Sequence, residues 1–319
     1  MPVVPSDYRA PRLLRSGHVQ TVLPVFVPRA RPPQPRHERL ELADGDFVDL
    51  RWYRAGHPRL AVLSHGLEGS AEAVYIRSMT AALLAAGWDV LAWNFRGCGG
   101  VDNRLPRSYH SGESDDLRQV VSAAAKTGQA MALIGFSLGG NITLKYLGES
   151  AHHPQVIGGA AVSAPVDLTS SARALDDRPD NRIYLKRFLK TLIAKMEAKA
   201  RLFPAAIQTQ GIRGILTIRE FDHRFTAPLH GFLSAEDYWQ RASSLPWLDQ
   251  ISVPALLLNA RNDPLLDRPS FPQELAARSP YLYLEAPDHG GHVGFLDHRL
   301  RAWHEHRVIG FLNDACCGG

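Results

Sequence analysis

A serine flanked by glycines opens the chemistry. Gly135-Phe136-Ser137-Leu138-Gly139 is a G-x-S-x-G that follows the apolar run Ala130–Phe136 and precedes a helix-patterned run at 138–147. A strand-to-helix turn this tight exposes a serine Oγ above a sheet, and the flanking glycines keep side chains out of its neighbours. The helix start behind Ser137 adds a field that favours an oxyanion. A serine hydroxyl is a poor nucleophile at neutral pH, so it needs a base and an acid that orients the base. Where such an elbow is catalytic, the acid and then the histidine follow the serine along the chain.

Asp263 lies just past a strand-like run at 255–259. His292 follows another at 281–285, within Asp288-His289-Gly290-Gly291-His292-Val293-Gly294-Phe295. The small residues there leave an imidazole room to reach over a sheet, which makes His292 the expected base and His289 its rival. Asp263 is the expected acid; Asp267 and Asp288 are weaker candidates whose ordinary role is loop capping. A developing oxyanion needs two backbone N–H groups. Leu138, after the nucleophile, is one expected donor, and Leu67 in Ser64-His65-Gly66-Leu67-Glu68-Gly69-Ser70 is the other.

The elements that must position these groups read as alternating strands and helices. Strand-like runs fall at 47–53, 60–64, 89–95, 130–136, 156–163, 255–259 and 281–285, and helix-like runs at 71–86, 115–125, 138–147 and 299–312. Apolar strands alternating with helices require a mostly parallel sheet covered on both faces, the α/β class. The alternation stops between about 170 and 248. There, Leu185, Phe188, Leu189, Leu192, Ile193, Met196 and Phe203 form a helix-period stripe, with Arg182, Lys186, Arg187, Lys190, Lys195, Lys199 and Arg201 on the other positions. The expected organisation is an N-terminal extended arm at 1–37, a core at 38–170 and 249–319, and a helical cap insertion at 171–248 over the sheet's carboxyl edge. The cap's basic face reads as a solvated surface, or as an attraction for anionic substrate or lipid.

Composition narrows the class. The 319 residues are 45% hydrophobic and 21% charged, which excludes a disordered chain and a small disulfide-stapled module. A net charge of +4 without any aromatic–basic or zinc-spaced motif is no nucleic-acid signature. Three cysteines, Cys98, Cys316 and Cys317, make no paired framework, so a reducing cytoplasm is expected. No run approaches the roughly 20 apolar residues of a spanning helix. The terminal Cys316-Cys317-Gly-Gly is a poor prenylation signal. His304-Glu305-His306 lacks the spacing of a helical zinc site, and His18 and His110 read as structural hydrogen-bonders. Neither a cofactor nor a metal is expected; oligomeric state and contact with a lipid surface are left open.

Several motifs together resemble the YheT-type α/β-hydrolases. They are Arg15-Ser16-Gly17-His18-Val19-Gln20-Thr21, His65-Gly66-Leu67-Glu68-Gly69-Ser70, Asn94-Phe95-Arg96-Gly97-Cys98-Gly99-Gly100, Gly135 through Asn141, and Thr226 through Phe232 with Asp237-Tyr238-Trp239. Trp239 departs from the pattern, standing where a tyrosine is expected. The resemblance implies an α/β-hydrolase fold and carboxylic-ester hydrolysis, with relatives acting on lipid and medium-chain acyl esters or transferring acyl groups to alcohols. Carried over, its triad falls on Ser137, Asp263 and His292. The expected partner is thus a small-molecule ester, with acyl transfer to an alcohol and a non-catalytic ligand-binding relative as the alternatives.

Overall fold

The computed structural model describes residues 3–149 and 152–317, the side chains of 315–317 excepted. The thiols of Cys316 and Cys317, and the terminal glycines, therefore lie outside the described residues. Nine strands form one sheet: β1 (Val3–Val4), β2 (Arg36–Glu41), β3 (Phe47–Tyr53), β4 (Arg59–Ser64), β5 (Trp88–Asn94), β6 (Ala130–Phe136), β7 (Val156–Val162), β8 (Ala255–Leu258) and β9 (Leu282–Glu285), in the order β1-β9-β8-β7-β6-β4-β5-β3-β2. Among the described strands, only the β2–β3 and β3–β5 pairs run antiparallel.

Alternate residues of the central strands feed opposite faces, as the two-residue period of a strand requires. Leu60, Val62, Leu91 and Trp93 pack with α3 (Ser114–Ala125) and α4 (Leu138–Gly148). Ala61, Leu63, Val90 and Ala92 pack with α2 (Val74–Ala85) and the last helix, Trp303–Cys317. Both faces being covered, all seven residues of β5 are buried, which is why its middle, Val90 to Trp93, is continuously apolar.

A buried cation ties the β2–β3 turn to the helical layer. Arg96, 1% exposed, donates to Asp116 at 2.7 and 2.6 Å, to Asp44 at 2.7 Å and to Asp46 at 3.2 Å. Removing one member of a buried ionic set leaves the rest uncompensated. Arg96→Met is expected to cost about 3–5 kcal/mol of unfolding free energy, read from urea denaturation midpoints. A loss under about 1 kcal/mol, the range of an exposed pair, would refute this role.

Between β7 and β8 the chain is helical: α5 (Leu168–Asp177), α6 (Arg182–Leu202), α7 (Ile218–Phe221), a π-helical turn (Asp222–Thr226), α8 (Ala227–Leu229) and α9 (Ala235–Ala242). These pieces share an apolar cluster of their own, including Leu185, Leu189, Met196, Phe221, Phe225 and Trp239. The basic face of α6 differs from expectation. Arg182, Lys186, Arg187, Lys190 and Arg201 are exposed, but Lys199 is fully buried and Lys195 largely so. The Lys199 ammonium donates to the Leu105 carbonyl at 2.6 Å, and burial lowers its pKa to about 8.

Three other departures have simple causes. β2 reads Arg-His-Glu-Arg-Leu-Glu and is mostly exposed, so no apolar alternation announces it; charge on an edge strand also discourages further pairing. The last helix starts at Trp303 and not at 299, because Leu300 adopts a positive φ of 57° and Leu296 bridges to Ala302. Within the expected N-terminal arm, α1 (Gly17–Val22) is helical and its Gln20 is fully buried.

Candidate active site

Ser137 caps α4 with φ +53° and ψ −122°, a conformation that costs a non-glycine residue of order 1–3 kcal/mol. A Cβ on Gly135 would collide with the Gly139 carbonyl, and one on Gly139 with the carbonyls of Ser64 and His65. Both glycines are therefore dictated by the close approach of β4, β6 and α4.

His292 Nε2 lies 2.8 Å from Ser137 Oγ, and His292 Nδ1 lies 2.8 Å from Asp263 Oδ2. The other carboxylate oxygen, Asp263 Oδ1, accepts the Leu265 N–H at 2.9 Å, and the Asp263 side chain is fully shielded from solvent. The remaining candidates lie apart from this line. His289 faces Asn262 at 3.4 Å, Asp267 caps Arg268, and Asp288 is exposed beside Arg261.

The loop after β4 supplies the second wall. Its His65 is buried; Nε2 accepts the Phe95 N–H at 3.1 Å, so the proton is on Nδ1, which donates to the Gly66 carbonyl at 2.8 Å. Burial lowers its pKa to about 3, which keeps it neutral. The N–H groups of Gly66, Glu68 and Gly69 are bonded to Tyr75, Tyr109 and Gly66 respectively. No such partner is described for the Leu67 N–H, and Leu67 borders the same cavity as Ser137 and Leu138. Leu138 is the first residue of α4, where an N–H has no intrahelical acceptor.

Support for the histidine comes from residues to which the sequence assigns no role. The His292 N–H donates to Thr21 Oγ1 at 2.9 Å, and the Val293 N–H to Ser163 Oγ at 2.9 Å. Gln20 accepts the Leu296 N–H at 2.8 Å through Oε1 and donates through Nε2 to the Tyr8 hydroxyl at 2.9 Å. Thr21 and Gln20 stand in the Arg15–Thr21 motif, a signal present in the sequence but silent about function. His18, in the same motif, meets the Tyr184 hydroxyl of α6 at 3.0 Å.

Two spaces meet at Ser137 and His292. One is a cavity of about 130 Å³ walled by Leu168, Leu175, Phe188, Leu192, Met196, Phe221, Phe225 and Trp239. The other is a larger groove of about 740 Å³ bordered by Pro24, Val25, Arg29, Cys98 and Arg187.

In the cavity wall, buried Asp222 accepts from Thr226 Oγ1 at 2.6 Å and from the Trp239 indole at 2.8 Å. Burial raises its pKa from 3.8 to about 6. Between those values the folded state holds a proton that the unfolded state has released, so stability falls as pH rises from about 4 to 6. Asp222→Asn abolishes this titration. Its stability relative to wild type is expected to improve by up to roughly 3 kcal/mol across that window, measured by denaturation at stepped pH. A difference that stays constant with pH would exclude the effect.

His304 is buried against Phe136 and Phe295 while His306 is exposed, so the pair shares no face. Among the described residues, no helix is long and apolar enough to cross a membrane.

A parallel sheet covered on both faces, with a strained serine at the turn from a central strand into a helix, defines the α/β-hydrolase class. The chain belongs to that family: the family model for the alpha/beta hydrolase fold matches residues 62–299. It is 35% identical to YheT of Escherichia coli (strain K12), whose name designates an esterase, over 92% of this chain and 89% of that protein. It is 28% identical to phospholipase ABHD3 of Homo sapiens over 93% of this chain and 75% of that one. The solved Pyrococcus furiosus esterase Pf2001 shares the fold, with a TM-score of 0.59 and 20% identity over 91% of this chain and 99% of its own.

Proposed function

We propose that the protein hydrolyses carboxylic esters through an acyl-enzyme on Ser137, with His292 as general base and Asp263 as the acid that orients it. The observation that carries this reading is the unbroken line of two 2.8 Å contacts from Ser137 Oγ through the His292 ring to Asp263. Ser137 Oγ attacks the ester carbonyl as His292 Nε2 takes its proton. The N–H groups of Leu67 and Leu138 stabilise the oxyanion, and His292 then protonates the departing alcohol. Water enters by the same route in reverse and frees the acid. Relatives named esterase, phospholipase and monoacylglycerol lipase support an ester substrate.

The two spaces support one seat for each half of the ester. The smaller cavity, walled by apolar side chains of the helical segment, suits the acyl chain, and the larger groove suits the alcohol. A short- to medium-chain acyl group suits the small volume of that cavity, about 130 Å³. The groove also admits an alcohol in place of water, so acyl transfer is the second reading; products formed with added alcohol separate the two.

The test is labelling by a fluorophosphonate, mapped by peptide mass. Label on the peptide holding Ser137 supports the reading; label elsewhere, or none, overturns it. On a series of p-nitrophenyl esters, kcat/KM is expected to rise from acetate to a medium chain and then fall by at least about tenfold for long chains. A rate flat across the series sinks the shaped acyl pocket.

A further inference from the structure

The turn that carries the Leu67 N–H is held from an unexpected direction. Glu68, the next residue, adopts φ +53°, a left-handed conformation that a non-glycine residue keeps only when its surroundings impose it. Three contacts impose it here. The Glu68 N–H donates to the Tyr109 hydroxyl at 2.8 Å, and that hydroxyl donates back to Glu68 Oε1 at 2.8 Å. The same Oε1 receives the Lys195 ammonium at 2.6 Å. Lys195 also sits 5.0 Å above the Tyr109 ring and 3.3 Å from Cys98 Sγ.

Lys195 belongs to α6, in the helical segment between β7 and β8, whereas Glu68 and Tyr109 belong to the sheet's loops. The two charged side chains are 13% and 10% exposed, so the pair is shielded from water and from salt screening. A cation from the segment that walls the acyl cavity therefore fixes the strained residue beside the expected oxyanion donor.

We propose that Glu68, Tyr109 and Lys195 form a positioning network that aims the Leu67 amide at the developing oxyanion and makes that aim depend on the seating of α6. The proposal rests on the reading of Ser137 as nucleophile and Leu67 as donor. All three also border the cavity, and Glu68 and Lys195 the groove, so the test must separate aim of the amide from contact with substrate. Their effect falls on the transition state, since the oxyanion exists only there. Acyl groups that fill the cavity and seat α6 would then be turned over faster, not merely bound more tightly.

Lys195→Met and Glu68→Gln discriminate this from a structural role. Active enzyme is first counted by fluorophosphonate titration, so loss of folded protein does not enter the rates. Each variant is expected to lose about 10- to 100-fold in kcat per titrated site, since a displaced donor costs less than a deleted one. KM should change less than kcat, since the oxyanion forms only after the substrate is bound.

A boronic acid, which presents a tetrahedral oxyanion on the serine, should lose affinity by the same factor as kcat. Lys195→Arg should recover most of it, and the double variant should be no worse than the worse single one. Glu68→Gln retains the side chain's size and an acceptor for Tyr109, so it keeps the test open if Lys195→Met does not fold. Variants with kcat per site within about twofold of wild type, or with raised KM and unchanged boronate affinity, overturn the network. Absence of label on the wild-type enzyme overturns the serine reading instead, so the two failures are distinguishable.

Discussion

Ser137→Ala is expected to lower kcat on a p-nitrophenyl ester by on the order of 10⁴- to 10⁶-fold, the range lost when a nucleophile is removed and only binding and oxyanion stabilisation remain. Fluorophosphonate labelling should vanish with it. The fold should persist, because the hydroxyl's one described partner is His292 Nε2, itself held by Asp263 on its far side. A sharper version uses Ser137→Gly. It should be equally inactive yet about 1 kcal/mol more stable than the alanine variant, since glycine relieves the strain at φ +53°. Activity retained by the alanine variant would place the nucleophile elsewhere.

The second large effect is expected for Asp263→Asn, a loss of about 10⁴-fold in kcat. The local hydrogen bonds explain why the isostere is so costly. Asp263 Oδ1 accepts the Leu265 N–H, and Oδ2 faces His292 Nδ1. An asparagine must keep its oxygen toward Leu265, which turns its NH₂ toward His292. That NH₂ needs Nδ1 as an acceptor, so the ring carries its proton on Nε2 and points a donor at Ser137, where catalysis needs an acceptor. Flipping the amide restores the tautomer but sets NH₂ against the Leu265 N–H. Binding of a non-reactive substrate analogue should change little. A loss below about tenfold would show that Asp263 does not set the tautomer.

The parts of this site that the sequence made legible are those whose causes are local. Residues 130–148 form strand, elbow and helix without interruption, so the glycine spacing around Ser137 carried its geometry. The positions of Asp263 and His292, which the structure brings together with Ser137, were legible because each follows the end of an apolar strand, β8 and β9 respectively. What could not be read depends on distant partners. Thr21 and His292 are 271 positions apart, and no periodicity links them. Lys195 and Lys199 sat among cations of α6 that looked alike by spacing. Which of them turns inward is decided by the carbonyls of Leu105 and Arg107 and by Glu68, all remote in sequence. β2 escaped notice because an edge strand has no second neighbour to demand apolar residues.

The contact between Thr21 and the His292 backbone also sets an order of events during synthesis. The elbow is complete 155 residues before His292 is made, and its strand and helix are near neighbours that form early. The loop that presents the imidazole can settle only after β9 has joined the sheet and closed back onto α1. The proposed nucleophile is thus synthesised well before the base proposed to activate it. The proposed triad is therefore completed in one late step, when α1 and the loop after β9 meet.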